Sequence, residues 1–286
     1  MTTGEYLEKW LIMRKSALAQ RTFEGYRRII RRCERISEIE IKELTAWDIN
    51  ETIQSDVSAG KIRTAEQIYV LLRTALADAV EMGVLQKTPV HHKLKPKRPK
   101  QQLRCWGPEE TARFLGEISG HPRELEIKLA LMAGLRRGEI CGLMWQDIDW
   151  RSGIMHIRRQ KVWTEDRGVQ VTPPKTSAGV RDVPVPEALW GPLRARRQLA
   201  GYVTEISASG VSKAVRKAAA RAGVKMIGTH GLRHTFATNA VRYGGDMRSL
   251  QVVLGHADYA TTANIYTHPD EQMIRAVVAK ANTSVV

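Results

Sequence analysis

The sequence lacks any apolar run of the roughly 20 residues that a membrane-spanning helix needs, because charged side chains interrupt its longest apolar stretches. Its first residues, MTTGEYLEKWL, lack the basic and then apolar segments of a secretory signal. Its three cysteines, Cys33, Cys105 and Cys141, form no CxxC pair, which argues against a disulfide framework and a zinc ribbon. We therefore expect a protein of the reducing cytoplasm with no membrane partner.

Acidic residues are scarce relative to basic ones. The 286 residues include 45 Lys and Arg but 30 Asp and Glu, which gives a formal net charge of +15. Such an excess favours a polyanionic partner, and without a membrane segment we expect that partner to be nucleic acid. The length suffices for about two domains, and a hydrophobic content of 43% is ordinary for a folded protein.

One basic segment divides the chain. QKTPVHHKLKPKRPKQQLR (86–104) contains seven Lys or Arg, three Pro and no acid, which is typical of an extended linker. We predict a helical N-terminal domain at residues 1–90, a linker at 91–105 and a second domain at 106–286. Lys95, Lys97 and Arg98 of this linker are candidate phosphate contacts.

The N-terminal domain contains an amphipathic helix, TFEGYRRIIRRCERI (22–36). A helical wheel places Phe23, Tyr26, Ile29, Ile30, Cys33 and Ile36 on one arc and the arginines on the other. Like charges at i,i+4 weaken an isolated helix, and bound phosphates would remove that cost. We predict DNA contacts from Arg27, Arg28, Arg31 and Arg32; a merely solvated basic face is the alternative. A second helix at 63–85 is predicted to end at Gly83.

The second domain is predicted to be mostly helical with one small sheet. Two helical stretches within 125–149 are parted by Gly134, and GIMHIRRQKV (153–162), GVQVTPP (168–174) and GVRDVPV (179–185) are expected to form an antiparallel meander. Further helices are predicted at 211–224, 234–244 and 271–282. The last of these is a candidate docking element for a neighbouring copy, or packs within its own chain. The class is therefore mainly α with a small antiparallel sheet.

A set of cationic residues in this domain is suited to one phosphate. Arginine binds phosphate with two parallel hydrogen bonds and stays charged, and Arg136 lies at a predicted helix start, where free N–H groups also favour an anion. Arg233 lies one helical turn after His230, so both side chains share a face. With His256, these residues could surround one phosphate group.

Two more residues fit a displacement at phosphorus. Lys175, in TPPKTSAGVRDVPV between the second and third strands, could protonate a leaving alkoxide from a hairpin tip. Tyr266 could attack phosphorus, although a phenol with a pKa of about 10 needs a nearby base or cations. No cluster of carboxylates accompanies HGLRH or IYTH, so the two-metal route to phosphoryl transfer is disfavoured. The predicted product is a covalent phosphotyrosine.

The runs GLRRGEI, PPKTSAGVRDVPV, HGLRHTFAT and LGHADYATTANIYTH, in this order, resemble the tyrosine recombinase (phage integrase) family. TGEYLEKWL, TFEGYRRII and the linker are similar to that family's core-binding domain, and the chain from Trp106 onward is similar to its catalytic domain. The resemblance implies a two-domain, C-shaped clamp on duplex DNA and a site-specific recombinase or integrase of a phage or mobile element. It implies a homotetramer on DNA and no metal, ATP or other cofactor.

The resemblance also assigns roles to single residues. It implies Tyr266 as the nucleophile, Arg136 and Arg233 as the phosphate ligands, and Lys175 as the general acid for the 5′ oxygen. His230 becomes a base or proton relay and His256 a hydrogen-bond donor to the phosphate, while Glu139 matches a position that supports the site from behind. Larger integrases carry a further N-terminal domain that binds arm sites, whereas this sequence starts at the core-binding motif. We therefore expect either a compact recombinase or a chain from which residues have been removed, and regulation by arm sites stays open.

Other interpretations stay open. His230 and His234 are spaced i,i+4 and could bind zinc with His256, although no HExxH glutamate is present. His234 alone is more typical of a buried, hydrogen-bonded helix residue than of a catalytic one. The chain could be a non-catalytic DNA-binding protein, a decayed recombinase that acts as a repressor. A type IB topoisomerase shares the mechanism, but the compact length favours a recombinase.

Overall fold

The computed structural model describes residues 1–97 and 105–260. The chain divides into two compact units, one of Met1–Gln101 with Thr164–Asp166 and the other of Gln102–Trp163 with Arg167–Val286. No helix in the described part of the chain is long and apolar enough to span a bilayer. The predicted class, mainly helical with small antiparallel sheets, is confirmed.

The first unit is built from helices with well-defined starts. Thr2 and Thr45 each accept a hydrogen bond from the backbone three residues later, at Glu5 and Asp48, whose carboxylates bond back to the threonine backbone. These reciprocal caps satisfy N–H groups that a helix start otherwise leaves unpaired. The helices are α1 (Thr3–Met13), α2 (Gln20–Ile30), α3 (Glu34–Ser37), α4 (Ala46–Ser58) and α5 (Ile62–Glu81).

The amphipathic pattern at 22–36 correctly predicted the buried face but not an unbroken helix. Phe23, Ile29, Ile30, Cys33 and Ile36 are all buried. However, α2 ends at Ile30, and a 3-10 turn, Arg31–Cys33, separates it from α3. The apolar side chains pack on α5, whose own buried stripe includes Ile68, Leu71, Leu72 and Leu76. A helix as short as α3 is stabilised by burial of its apolar side chains in this core rather than by helix propensity.

The second unit is a helical body around one large core. Trp106 and Phe114 are fully buried, with ring centroids 4.4 Å apart. The indole Nε1 of Trp106 donates to the Lys225 carbonyl, so the ring satisfies its polar atom inside the core. The helices are α6 (Pro108–Ile118), α7 (Glu124–Met132), α8 (Arg137–Gly142), α9 (Glu187–Arg196), α10 (Ala208–Arg221), α11 (Thr229–Arg242) and α12 (Met247–Leu254).

The predicted three-stranded meander is wrong. The strands are β1 (Ile148–Asp149), β2 (Ile154–Ile157), β3 (Gln160–Thr164), β4 (Gly168–Thr172) and β5 (Arg181–Pro184). β5 pairs antiparallel with β2, with Ile157 opposite Arg181, and β1 pairs with the other edge of β2. β3 and β4 form a separate two-stranded sheet. Lys175 therefore lies on the connection between two sheets, not at the tip of a hairpin.

The break between β2 and β3 has a local cause. The Arg159 guanidinium forms an ion pair with the buried carboxylate of Asp147. The next residues lie directly against α8, where a Cβ on Gly142 would come within 2.8 Å of the Gln160 Cα atom. The run 153–162 is thus held by an ion pair and a close backbone contact at the point where β2 ends and β3 begins.

Gly134 separates α7 from α8, as predicted, and the structure shows that it has the left-handed conformation. Its φ is +64°, and a Cβ there would lie 2.6 Å from Cδ1 of Phe236. We expect Gly134→Ala to lower the free energy of unfolding by about 2–5 kcal/mol, since left-handed strain and overpacking add.

Gly120→Ala is the matched control for this change. Gly120 has a φ of +70° with no atom within 4 Å of the added Cβ, so only the backbone cost of about 1–2 kcal/mol is expected. Urea denaturation of both variants measures the difference. Equal losses would contradict the packing part of the prediction.

Candidate active site

Arg136 is fixed at the start of α8 by Glu139. Its backbone N–H donates to Oε2 of Glu139 at 2.9 Å, and its Nη1 atom donates to Oε1 at 2.7 Å. Its Nη2 atom donates to the Gly255 carbonyl at 2.9 Å. The guanidinium is partly exposed, so it is held on one side by the protein and open to solvent on the other. The predicted helix start at this residue is confirmed.

Glu139 is a buried carboxylate between two arginines. Its side chain is 1% exposed and also accepts two hydrogen bonds from the guanidinium of Arg181, at 3.0 and 2.9 Å. Burial alone would raise the pKa of Glu139, but the hydrogen bonds from Arg181 and the charges of Arg181 and Arg136 outweigh it and lower that pKa. Glu139 is therefore ionised and neutralises part of the charge that two arginines bring to one place.

Arg233 is the second buried cation of the site. It lies on the first turns of α11, where Nη1 donates to the Gly134 carbonyl at 2.7 Å and Nη2 donates to the Leu254 carbonyl. Burial lowers the pKa of Arg233 to about 9, and the charge of Arg136 acts in the same direction. The group stays cationic at neutral pH. An arriving phosphate would relieve the repulsion between the two guanidinium groups.

Three imidazoles lie around these cations. His230 and His234 are one turn apart on α11, with ring centroids 4.5 Å apart and an edge-to-face geometry. His256 directly follows Gly255, whose carbonyl Arg136 binds. Burial, then the charges of Arg233 and Arg136, lowers the pKa of His256 to about 4.

The other two imidazoles are shifted in the same direction. His230 is solvent-exposed, yet its pKa is lowered, first by desolvation and then by the charges of Arg233 and Arg136. Burial and His230 lower the pKa of His234 to about 4. All three rings are neutral at pH 7, so each can accept a proton on one nitrogen and donate from the other.

His234 differs from the buried, hydrogen-bonded helix residue that was expected, because it is only partly buried. Its Nδ1 atom is buried and is the one such side-chain atom without a hydrogen-bond partner among the residues described. In residues 1–97 and 105–260, no three His, Cys, Asp or Glu side chains are grouped so as to hold a metal ion. The zinc alternative therefore finds no support in this geometry.

Lys175 is exposed on a loop that closes on itself. The Gly179 N–H donates to the Thr176 carbonyl at 2.9 Å. A Cβ on Gly179 would lie 2.4 Å from Cβ of Pro174, so the two ends of the loop are in tight contact. The Lys175 ammonium thus extends from a compact loop rather than from an open hairpin. Tyr266, the predicted nucleophile, and the predicted helix 271–282 lie outside the described residues.

Arg181 is a site residue that the sequence interpretation missed. Its side chain is 2% exposed and joins Glu139 to the loop of Lys175. A signal was present in GVRDVPV, because Arg181 alternates with the buried Val183 on the inward face of β5. A charged residue at an inward strand position indicates a buried partner.

The predicted DNA contacts fall into two groups. Arg28, Arg31, Lys95 and Lys97 are exposed, whereas Arg32 pairs with the buried Asp56. Arg27 lies 3.5 Å from carboxylate oxygens of Glu165 and Asp166, which belong to the same compact unit. Two of the four predicted arginine contacts on 22–36, Arg27 and Arg32, therefore have acidic partners within their own unit. Arg98 lies outside the described residues.

A further basic surface follows α10, which sequence reasoning did not single out. Lys213, Arg216 and Lys217 are exposed on this helix. Ser212, next to Lys213, lies 3.2 Å from the hydroxyl of Thr229, the residue before His230. The exposed cations of α10 therefore begin beside the candidate site.

Comparisons with known proteins agree with this arrangement. The profile of the Phage integrase family matches residues 109–181 and 196–273, ranges that include all six predicted catalytic positions. The chain is 29% identical to a XerC-like tyrosine recombinase of Caldanaerobacter subterraneus subsp. tengcongensis, over 94% of this chain and 79% of the relative. It is 25% identical to the tyrosine recombinase XerC of Pseudomonas aeruginosa, over 91% of this chain and 88% of the relative.

Solved structures show the same fold. An integrase of the transposon Tn1549, in complex with a circular intermediate DNA, superposes with a TM-score of 0.85 at 22% identity, over 98% of this chain and 99% of that one. A lambda integrase dimer bound to a core site gives a TM-score of 0.72 at 18% identity, over 95% of this chain and 99% of that one.

Because Glu139 is buried and charged, we expect its removal to lower the free energy of unfolding by an amount that depends on pH. Glu139→Gln leaves Arg181 without its buried counter-charge, so we expect a loss of about 3–5 kcal/mol in the free energy of unfolding at pH 7. Because the folded-state pKa of Glu139 is lowered, this loss stays constant above the ordinary glutamate pKa of about 4.3 and shrinks as the pH falls below it.

Denaturation of both proteins at pH 7, 5 and 4 measures this dependence. Glu187→Gln, at an exposed glutamate in the first turn of α9, is the control and should change stability by less than about 0.5 kcal/mol at every pH. A Glu139→Gln loss that grows on acidification would contradict the assignment.

Proposed function

The chain belongs to the phage integrase family of tyrosine recombinases, and on that premise we propose that it recombines the DNA of a phage or other mobile element at specific sites. The observation that carries the proposal is the convergence of Arg136 and Arg233 on the carbonyls at the end of α12. His230 lies one turn before Arg233 on α11, and His256 directly follows Gly255. The likeness of its fold to a transposon integrase and to lambda integrase supports the mobile-element assignment.

The proposed reaction is an in-line displacement at a DNA phosphorus atom. The Tyr266 oxygen bonds to phosphorus while the bond from phosphorus to the 5′ oxygen breaks, which leaves a 3′-phosphotyrosine. Lys175 gives its proton to the departing 5′ oxygen. Attack by a 5′-hydroxyl of a partner strand reverses the step, so the energy of the phosphodiester is kept and neither ATP nor a metal ion is needed.

The protonation states of the site suit these roles. Arg136 and Arg233 are cationic and would bind the two non-bridging oxygens, whose negative charge grows in the transition state. His230 is neutral at pH 7 and can accept the phenol proton of Tyr266 directly or through a relay. His256 is neutral as well and donates one N–H to the phosphate.

Duplex DNA is the proposed partner, held by both units in the predicted clamp. The exposed cations Arg28, Arg31, Lys95 and Lys97, with those of α10, would contact backbone phosphates, which position a protein without reading sequence. Arg27, Arg32 and Arg98 remain proposed contacts from the sequence. A lambda integrase tetramer bound to a Holliday junction is known, and we propose a homotetramer on DNA for this chain too.

The covalent intermediate is the decisive test. The full chain is incubated with a random-sequence library of nicked duplexes, and adducts that resist SDS are isolated and the attached 3′ ends sequenced. We expect adducts that share one sequence, formed equally well in EDTA. Tyr266→Phe should form none, because it lacks the attacking oxygen.

Arg233→Lys is the matched site variant, since lysine keeps the charge but not the paired donors. It should lower the adduct rate by about 100-fold or more with DNA affinity nearly unchanged. DNA binding without any adduct by the native chain would favour the non-catalytic DNA-binding protein. An adduct that persists in Tyr266→Phe would refute the nucleophile.

The proposed phosphate contacts should determine how strongly DNA binding depends on salt concentration. The double variants Arg28→Ala/Arg31→Ala and Lys213→Ala/Lys217→Ala should each weaken binding to random-sequence duplexes. Each should also reduce the slope of log K against log[salt] by about 1.8, from about 0.9 per phosphate. Arg151→Ala, on an exposed turn of the second unit, is the control. A slope unchanged in either double variant would exclude that pair from the interface.

A further inference from the structure

The guanidinium of Arg181 joins three separate segments of the second unit. Its Nη1 and Nη2 atoms bind both carboxylate oxygens of Glu139, at 3.0 and 2.9 Å. Nη1 also donates to the Gly179 carbonyl at 3.0 Å, and Nε donates to the Val253 carbonyl at 2.5 Å. An arginine carries five N–H donors, so nearly all of this side chain's donors are used inside the protein.

One of these segments is the loop that carries Lys175. Residues 174–179 are closed by the Pro174 and Gly179 contact, and the Gly179 carbonyl is the loop's bond to Arg181. The loop also lies against the end of α12, since a Cβ on Gly255 would come within 2.7 Å of the Ala178 carbonyl oxygen and 3.0 Å of Cδ of Arg181. Arg181 and Gly255 thus fix where this loop stands.

The two phosphate-binding arginines do not depend on Arg181 in the same way. Arg136 keeps its own bonds to Glu139 and to the Gly255 carbonyl. Arg233 is held by the carbonyls of Gly134 and Leu254. Loss of the Arg181 guanidinium would therefore free the Lys175 loop, whereas Arg136 and Arg233 would keep their own hydrogen-bond partners.

We propose that Arg181 is a positioning residue for strand cleavage, which sets the loop of Lys175 so that the lysine can protonate the leaving 5′ oxygen. The proposal rests on the proposed function. Lysine cannot replace Arg181, because a single ammonium group cannot reach both Glu139 oxygens, the Gly179 carbonyl and the Val253 carbonyl together. The effect of the change should then fall on proton transfer to the leaving group and not on DNA binding.

A change of leaving group tests this directly. The duplex is the one identified by covalent selection, made with either oxygen or sulfur at the bridging 5′ position of the cleaved linkage. With sulfur, the new bond from Tyr266 to phosphorus displaces a thiolate, which leaves without a proton because a thiol has a pKa of only about 8.5. First-turnover rates of adduct formation are measured on both duplexes.

Arg181→Lys should slow the oxygen duplex by about 100-fold, the scale of general acid catalysis, and the sulfur duplex by less than about threefold, since no proton is required. Lys175→Ala should give the same pattern. Gly179→Ala is a second route to the same loop, because its Cβ would collide with Pro174 while the Arg181 bonds to Glu139 are retained. Gly179→Ala should likewise slow adduct formation on the oxygen duplex but not on the sulfur duplex. This test does not require Arg181→Lys to fold.

Arg159→Lys is the matched control, because Arg159 also pairs with a buried carboxylate, that of Asp147, but at the break between β2 and β3. It should leave both rates near those of the native chain. Equal slowing of both duplexes by Arg181→Lys and Gly179→Ala, or no slowing by either, would overturn the proposal. A native chain that forms no adduct on either duplex would overturn the proposed function and this inference with it.

Discussion

Three arginines from three elements bind the end of α12. The carbonyls of Val253, Leu254 and Gly255 are consecutive, and they accept hydrogen bonds from Arg181, Arg233 and Arg136, respectively. The last carbonyls of a helix have no partner within it and carry the negative end of its dipole. The guanidinium groups satisfy these carbonyls, and the carbonyls in turn fix the direction in which the arginines point. The left-handed Gly255 lets the chain turn there and present His256 beside them.

Electrostatic consequences follow from bringing so many cations together. Glu139 offsets Arg136 and Arg181, but Arg233 contacts backbone carbonyls and not a carboxylate among the residues that the structure describes. Burial, and then the remaining positive charge, lowers the pKa values of His230 and His256 and leaves both rings neutral. The proposed phosphodiester substrate complements this site, because its charge would relieve the repulsion and the neutral imidazoles could transfer protons.

Some residues of the candidate site are buried and firmly hydrogen-bonded, whereas others are exposed to solvent. Glu139, Arg181 and Arg233 are buried, and each makes several hydrogen bonds within the protein. Lys175 and His230 are exposed. A displacement at phosphorus needs its charge stabilisers fixed in advance, since reorganisation during the reaction would raise the barrier. In the proposed reaction Lys175 and His230 exchange protons and must instead reach the DNA, and they stand on segments that the buried groups hold in place.

Much of this protein could be predicted from the sequence. Periodicity gave the buried face of 22–36 and the two helical stretches around Gly134, and the spacing of HGLRH placed His230 and Arg233 on one helix, because these features depend on neighbours within a few turns. The strand pairing and the role of Arg181 could not be predicted, since both depend on distant partners. β5 pairs with β2, and the run 153–162 is interrupted where Arg159 meets Asp147 and Gln160 lies against Gly142 of α8. Likewise, nothing local indicates that Arg181 would meet Glu139, 42 residues earlier, and Val253, 72 residues later. The sequence by itself determined which chemical groups were present, and the tertiary structure decided which of them meet at the end of α12, because hydrogen bonds and buried ion pairs across such separations form only when the whole core has packed.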